Sequence, residues 1–223
     1  MRKEIKIIAA IGIVVLIASI LGASYYRRSV QSERRSDAAA DGTLVRPDSP
    51  TLGPANAPVT LVEFLDPECE SCRAFSHVIK QLLKEYDGKL RFVVRYMPLH
   101  PNSRLAAAYT EAAGEQGKYW EMQEILFRRQ PEWGDRHGQP APAGQPAPAV
   151  LFERYAAEIG LDVEKVRSAV AENRFASKIE RDMKDGQSLG VTKTPTFFVN
   201  GRRLARFSQA DLRALIDEEL KGR

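Results

Sequence analysis

Val59-Thr60-Leu61-Val62-Glu63-Phe64-Leu65-Asp66-Pro67-Glu68-Cys69-Glu70-Ser71-Cys72 is the stretch on which the fold turns. Its first half, Val59 to Phe64, is β-branched and mostly apolar, the composition of a buried strand. Asp66-Pro67-Glu68 breaks that strand. From Cys69 onward the apolar spacing changes to three and four residues. Phe75, Val78, Ile79, Leu82, Leu83 and Tyr86 then share one face of a helix that Asp87-Gly88 stops. Leu90 to Met97 reads as a second strand. Strand, helix and strand in this order make a parallel pair with a right-handed crossover. The two cysteines fall at the start of that helix.

That position carries the chemistry. A helix N-terminus has unpaired N–H groups and the positive end of the helix dipole, and both stabilise an anion. A cysteine there has a depressed pKa, and the thiolate is the attacking species in disulfide exchange. Cys69 is the expected exposed nucleophile, and Cys72, one turn in, resolves the mixed disulfide. A purely structural pair is the bland alternative. Asp66, Glu68 and Glu70 lie close in sequence to Cys69, and carboxylates within a few ångströms would raise its pKa. Ser71 is a candidate hydrogen-bond donor. Glu63 is either a buried proton acceptor beneath Cys72 or an exposed strand-edge residue.

Working outward, Ser103–Glu115 and Tyr119–Arg129 read as helices. The proline-rich residues 130–148 read as an exposed loop, with Trp133 beside it. Helical periodicity resumes in 149–159, 163–172 and 175–189. Thr196 to Val199 is a strand, Asn200-Gly201 a hairpin turn, and Leu204 to Phe207 the returning strand. Ser208 with Asp211 caps a last helix. Thr194-Pro195 stands immediately before the third strand.

The N-terminal side differs in kind. Ile7 to Ala23 is an uncharged apolar run, and Ile5 to Tyr26 extends about 33 Å at about 1.5 Å per residue, enough for a hydrocarbon core of about 30 Å. Tyr25 and Tyr26 suit the membrane interface. The run is longer than a signal peptide's apolar region, so residues 1–26 read as a retained signal-anchor rather than a cleaved leader. Residues 27–53 read as a flexible linker, and 54–223 as the working domain. The N-inside orientation exports the domain.

The chain has 223 residues, a formal charge of +4 and two cysteines. Much of the positive charge flanks the apolar run, and no basic stripe with interleaved aromatics marks the body, so nucleic acid is not an expected partner. Zinc would need two of His77, His100 and His137 beside the cysteines, and no pair of them has finger-like spacing.

The stretch Glu63–Cys72 resembles the active-site entry of DsbA-like thioredoxin-fold proteins. Gly190-Val191-Thr192-Lys193-Thr194-Pro195-Thr196-Phe197-Phe198-Val199-Asn200-Gly201 is similar to their cis-proline segment, and Met97-Pro98-Leu99-His100-Pro101 also looks like the family. The resemblance implies an α/β thioredoxin fold with an all-helical insertion over about 102–189, here preceded by a single transmembrane helix. It implies a cis Pro195 facing the cysteines, with the Thr194 backbone pairing with a substrate segment. It implies exported or unfolded protein substrates, a membrane redox partner that recycles the pair, and no organic cofactor. Where DsbA carries Pro-His between its cysteines, this chain carries Glu70-Ser71, so strong oxidising power does not follow. Lys193 stands where glycine is common in relatives and brings positive charge. His100 either lies near the groove or caps the next helix. The expected function is that of a membrane-anchored extracytoplasmic thiol:disulfide oxidoreductase. A reductase or isomerase is the second reading, and a tethered non-catalytic peptide-binding or chaperone module the third.

Overall fold

The structure, a computed structural model, describes residues 16–26, 42–135 and 143–222. Residues 16–26 are helical (α1) and exposed. The body follows as β1 (Thr51–Leu52), β2 (Val59–Leu65), α2 (Glu70–Glu85), β3 (Leu90–Tyr96), α3 (Ser103–Gly114), α4 (Tyr119–Arg128), α5 (Gln130–Trp133), α6 (Pro148–Glu158), α7 (Val163–Ala171), α8 (Ala176–Ser188), β4 (Thr196–Val199), β5 (Arg202–Arg203) and α9 (Gln209–Lys221). The sheet order is β1-β3-β2-β4-β5. β2 and β3 are parallel, and the other neighbours pair antiparallel. β2 is therefore central, and both of its edges are paired.

Side chains alternate across a strand. Leu61 and Leu65 join Phe92, Val94 and Phe197 against α2 and α9, where Cys72, Phe75, Ile79, Leu82 and Ile216 complete one core. Val62, Phe64, Val93 and Phe198 form the opposite core with Met97 and Val191. Period two puts Glu63 on the same face as Leu61 and Leu65, beneath α2. The inserted helices enclose a core of their own, which includes Tyr96, Met122, Phe152 and Ile179. α8 also lies tight against the sheet. A Cβ at Gly186 would sit 3.0 Å from a Phe64 ring carbon and 3.2 Å from Met97 Sδ, so a larger residue would push these side chains aside.

The structure departs from the sequence expectation at three places. Residues 43–52, read as tether, belong to the domain. Leu44 is buried, Thr51 and Leu52 pair with Val93 and Phe92, and the Arg46 guanidinium makes two hydrogen bonds to Asp185 at 2.9 and 3.0 Å. The returning strand is Arg202–Arg203 rather than 204–207, because Asn200 (φ 46°) and Gly201 (φ 82°) make a two-residue turn that puts Arg202 opposite Val199 at once. Residues 130–133 are a helical turn that buries Gln130 and Trp133 rather than exposed loop. Trp133 donates to the Leu126 carbonyl at 3.0 Å and meets Phe152 edge-on. The expected anchor falls largely on residues 1–15, which lie outside the described residues. Among the described residues no helix is long and apolar enough to cross a membrane. The described part, 16–26, rises about 16 Å, half of a hydrocarbon core.

Candidate active site

β2 ends at Leu65, and α2 begins at Glu70 with Cys69 as its N-cap, in extended backbone and without a side-chain cap. The first-turn N–H groups are thus left for the Cys69 sulfur. Its thiol is pulled down to about 6. The hydrogen bond from the Cys72 thiol does most, against burial, and the Thr194 hydroxyl and the N–H groups of Cys72 and Ser71 add to it. Cys72 moves the other way, well above the ordinary thiol value. Burial is the largest cause, followed by its hydrogen bond to Cys69 and the charge of Glu63. Both cysteines are free, and each shifts the pKa of the other. Cys69 keeps 7% of its surface and Cys72 1%. Cys69 is more enclosed than a freely exposed nucleophile, yet it remains the accessible member of the pair.

The acidic neighbours do not act as their spacing suggests. Asp66 and Glu68 are buried and turned away into the loop before α3. Asp66 accepts from the N–H groups of Glu68 (2.8 Å), Leu99 (2.6 Å) and His100 (3.2 Å), from the Ser103 hydroxyl, and pairs with His100 Nδ1 at 2.7 Å. Glu68 accepts from Asn102 N–H at 2.6 Å and Asn102 Nδ2 at 2.8 Å. Gln130 Nε2 donates to the Pro67 carbonyl at 2.9 Å. These carboxylates fasten the cysteine loop to the helical insertion, and the expected rise in the Cys69 pKa does not occur. Glu70 and Ser71 are exposed, and it is the Ser71 backbone, not its hydroxyl, that faces the sulfur.

Thr194–Pro195 is a cis peptide, and the Thr194 carbonyl lies 3.4 Å from Cys69 Sγ. Lys193 is exposed beside it, and its carbonyl accepts from the Thr196 hydroxyl at 2.7 Å. Glu63 is buried and not an exposed strand-edge residue. Burial first, and then the charge on Cys69, push its carboxyl up to about 8. His100 is part of the site rather than a remote cap. Burial works against its charge, but the hydrogen bond and charge of Asp66 outweigh it, Cys69 and Glu68 add to them, and the imidazole rises above its ordinary value. The Asp66–His100 pairing is what sequence reading missed, and the Met97–Pro101 run was its only signal.

A reactive N-cap cysteine, a buried partner thiol, a buried acid and a cis-proline segment on a thioredoxin sheet define a thiol:disulfide oxidoreductase of the DsbA-like class. The thioredoxin family model matches residues 46–218, and the chain belongs to that family. A thioredoxin-like oxidoreductase from Silicibacter pomeroyi DSS-3 matches with a TM-score of 0.67 at 30% identity, over 81% of this chain and 97% of that one. The disulfide bond formation protein D of Bacillus subtilis (strain 168) is 28% identical over 200 residues, 86% of each chain. The sodium/proton antiporter NhaA 3 of Salinispora tropica is 40% identical over 154 residues, which is 68% of this chain and 21% of the antiporter. The chain spans between 21% and 33% of the length of such antiporters. Ion transport is therefore not carried over from them.

Proposed function

We propose that the protein oxidises dithiols in exported or unfolded polypeptides from an extracytoplasmic position at the membrane, and that a membrane redox partner returns its cysteine pair to the disulfide. In this reading a client thiolate attacks Cys69 of the Cys69–Cys72 disulfide. Cys72 leaves as a thiolate and takes a proton from Glu63. The second client thiolate attacks the client sulfur of the mixed disulfide, and Cys69 leaves as a thiolate. The client loses two electrons and the cysteine pair gains them, so no organic cofactor is needed. The Thr194 backbone pairs with the client segment beside the proline, and exposed Leu99 offers apolar contact next to His100.

The observation that carries this reading is the low pKa of Cys69. A stabilised thiolate favours the reduced form of the pair and so makes its disulfide the stronger oxidant. It weighs against a reductase, which a raised Cys69 pKa would have favoured. The apolar run over Ile7 to Ala23 supports the anchor, and its positively charged N-terminal flank supports export of the domain. The test is a trap. Cys72→Ser in cells should hold exported proteins as mixed disulfides on Cys69, released by dithiothreitol, in the membrane fraction. Capture of cytoplasmic proteins alone, or full function in Cys69→Ser, would refute the proposal.

A further inference from the structure

A cavity of about 470 Å³ lies between α2 and α4, over Leu52 of β1 and Phe92 of β3. Thr194 and Pro195 precede β4, on the other side of β2. The volume falls in the range of about 300–1,000 Å³ that small-molecule sites occupy. Its walls are apolar and largely aromatic, with Ile79 and Leu83 from α2 and Trp120 and Phe127 from α4 beside Phe92. Two polar groups of the lining lack protein partners. Gln123 Oε1 is buried without a hydrogen-bond donor. Arg73, half-buried and next to Cys72 in sequence, has a guanidinium with no hydrogen bond or ion pair among the described residues. The lysine and the other arginine of the lining are taken. Lys80 pairs with Glu124 at 2.8 Å and ties α2 to α4, and Arg128 lies 3.5 Å from Glu158. The Glu63 carboxyl at the cavity wall is neutral below about 8, so it does not repel an anion at neutral pH.

Each unmatched feature names what would match it. A guanidinium is a planar fork that holds a carboxylate by two parallel hydrogen bonds. A buried acceptor without a donor is costly, and a hydroxyl supplies the donor. Aromatic walls take an aromatic ring offset or edge-on. Water alone would satisfy Gln123, but it leaves the apolar walls wet and gives Arg73 no counter-charge. We propose that this cavity binds a small hydroxyaryl carboxylate, with the carboxylate on Arg73, the ring among Phe92, Trp120 and Phe127, and the hydroxyl donating to Gln123 Oε1. The site is separate from the client surface at Thr194, and it does not depend on the direction in which the cysteine pair moves electrons.

The probe is phloretate, which is hydrocinnamate with a para hydroxyl. It is titrated calorimetrically into the full-length protein in detergent. Hydrocinnamate lacks the donor, and para-propylphenol lacks the charge. Phloretate is expected to bind about fivefold more tightly than hydrocinnamate and about tenfold more tightly than propylphenol. Arg73→Gln should weaken phloretate about tenfold and leave propylphenol unchanged. Gln123→Leu removes the acceptor at nearly constant volume, and it should erase the preference for phloretate over hydrocinnamate. A merely loosened fold cannot separate charge from donor in this way. The site is overturned if phloretate fails to bind at millimolar concentration or binds no better than its two controls. It is overturned equally if the two variants weaken all three ligands alike. The dithiol chemistry of Cys69 and Cys72 stands in either case.

Discussion

Cys69 Sγ is held by groups that favour its charge, and the consequence is measurable in how the couple responds to pH. Its folded pKa is lowered to about 6. A lowered value stabilises the reduced protein above the ordinary thiol pKa, and that contribution is lost as pH falls through about 6. The disulfide form has no such group. Below about pH 6, reduction takes up two protons with two electrons, and above it only one. The reduction potential should therefore fall by about 59 mV per pH unit below that point and by about 30 mV above it. Glutathione equilibria across pH 5–8 check this, and an unbroken two-proton slope would remove the thiolate assignment. Glu63 runs oppositely. Its carboxyl is raised to about 8, so its contribution to stability is present at low pH and lost as pH rises through that value.

Among the elements, α8 is bound to β3 and to residues 43–52 by charge. Arg95 is fully buried in β3 and pairs with Asp182 at 2.9 Å and with Asp185 at 2.5 Å, and it donates to the Thr43 carbonyl. Asp182 also accepts the Tyr96 N–H at 3.2 Å. Asp182→Ala leaves Arg95 with Asp185 but takes the acceptor from the buried Tyr96 N–H, so it should cost about 1–3 kcal/mol in urea unfolding. An exposed pair such as Arg104–Glu180 should cost less than about 1 kcal/mol. The contrast shows what was legible in the sequence. The strand and helix around the cysteines were readable because their periodicity comes from burial on one face. The Asn200-Gly201 turn and the Ser208 cap were readable from local chemistry alone, and the Ser208 side chain does accept the Asp211 N–H at 3.0 Å. Long-range polar pairing leaves no such period. Asp66 and Glu68 look like neighbours of Cys69 until Leu99, His100 and Asn102 claim them from 34 residues or so away. β1, two residues long, is too short for any periodicity, and Trp133 is buried by Phe152, far along the chain.

For the molecule as a whole, the decisive boundary is where the folded body begins. Residues 43–52 carry one buried leucine, one strand of the sheet and one bidentate ion pair, and they supply the carbonyl that receives a buried guanidinium. Gly53 (φ 84°) then turns the chain so close to Leu90 that a Cβ there would lie 2.3 Å from its carbonyl oxygen, so the strap has one path along the sheet edge. A chain that starts at residue 42 should unfold at the same urea midpoint as the full-length protein and keep its dithiol chemistry. A chain that starts at residue 53 loses burial of Leu44, worth about 1.5–3 kcal/mol. It also leaves Arg95 short of an acceptor, at a further cost of about 1–3 kcal/mol. Its midpoint should drop accordingly, while the first chain, under the proposed anchoring, differs from the full-length protein in leaving the membrane fraction. Equal midpoints for the two shortened chains would mean that the strap is tether after all.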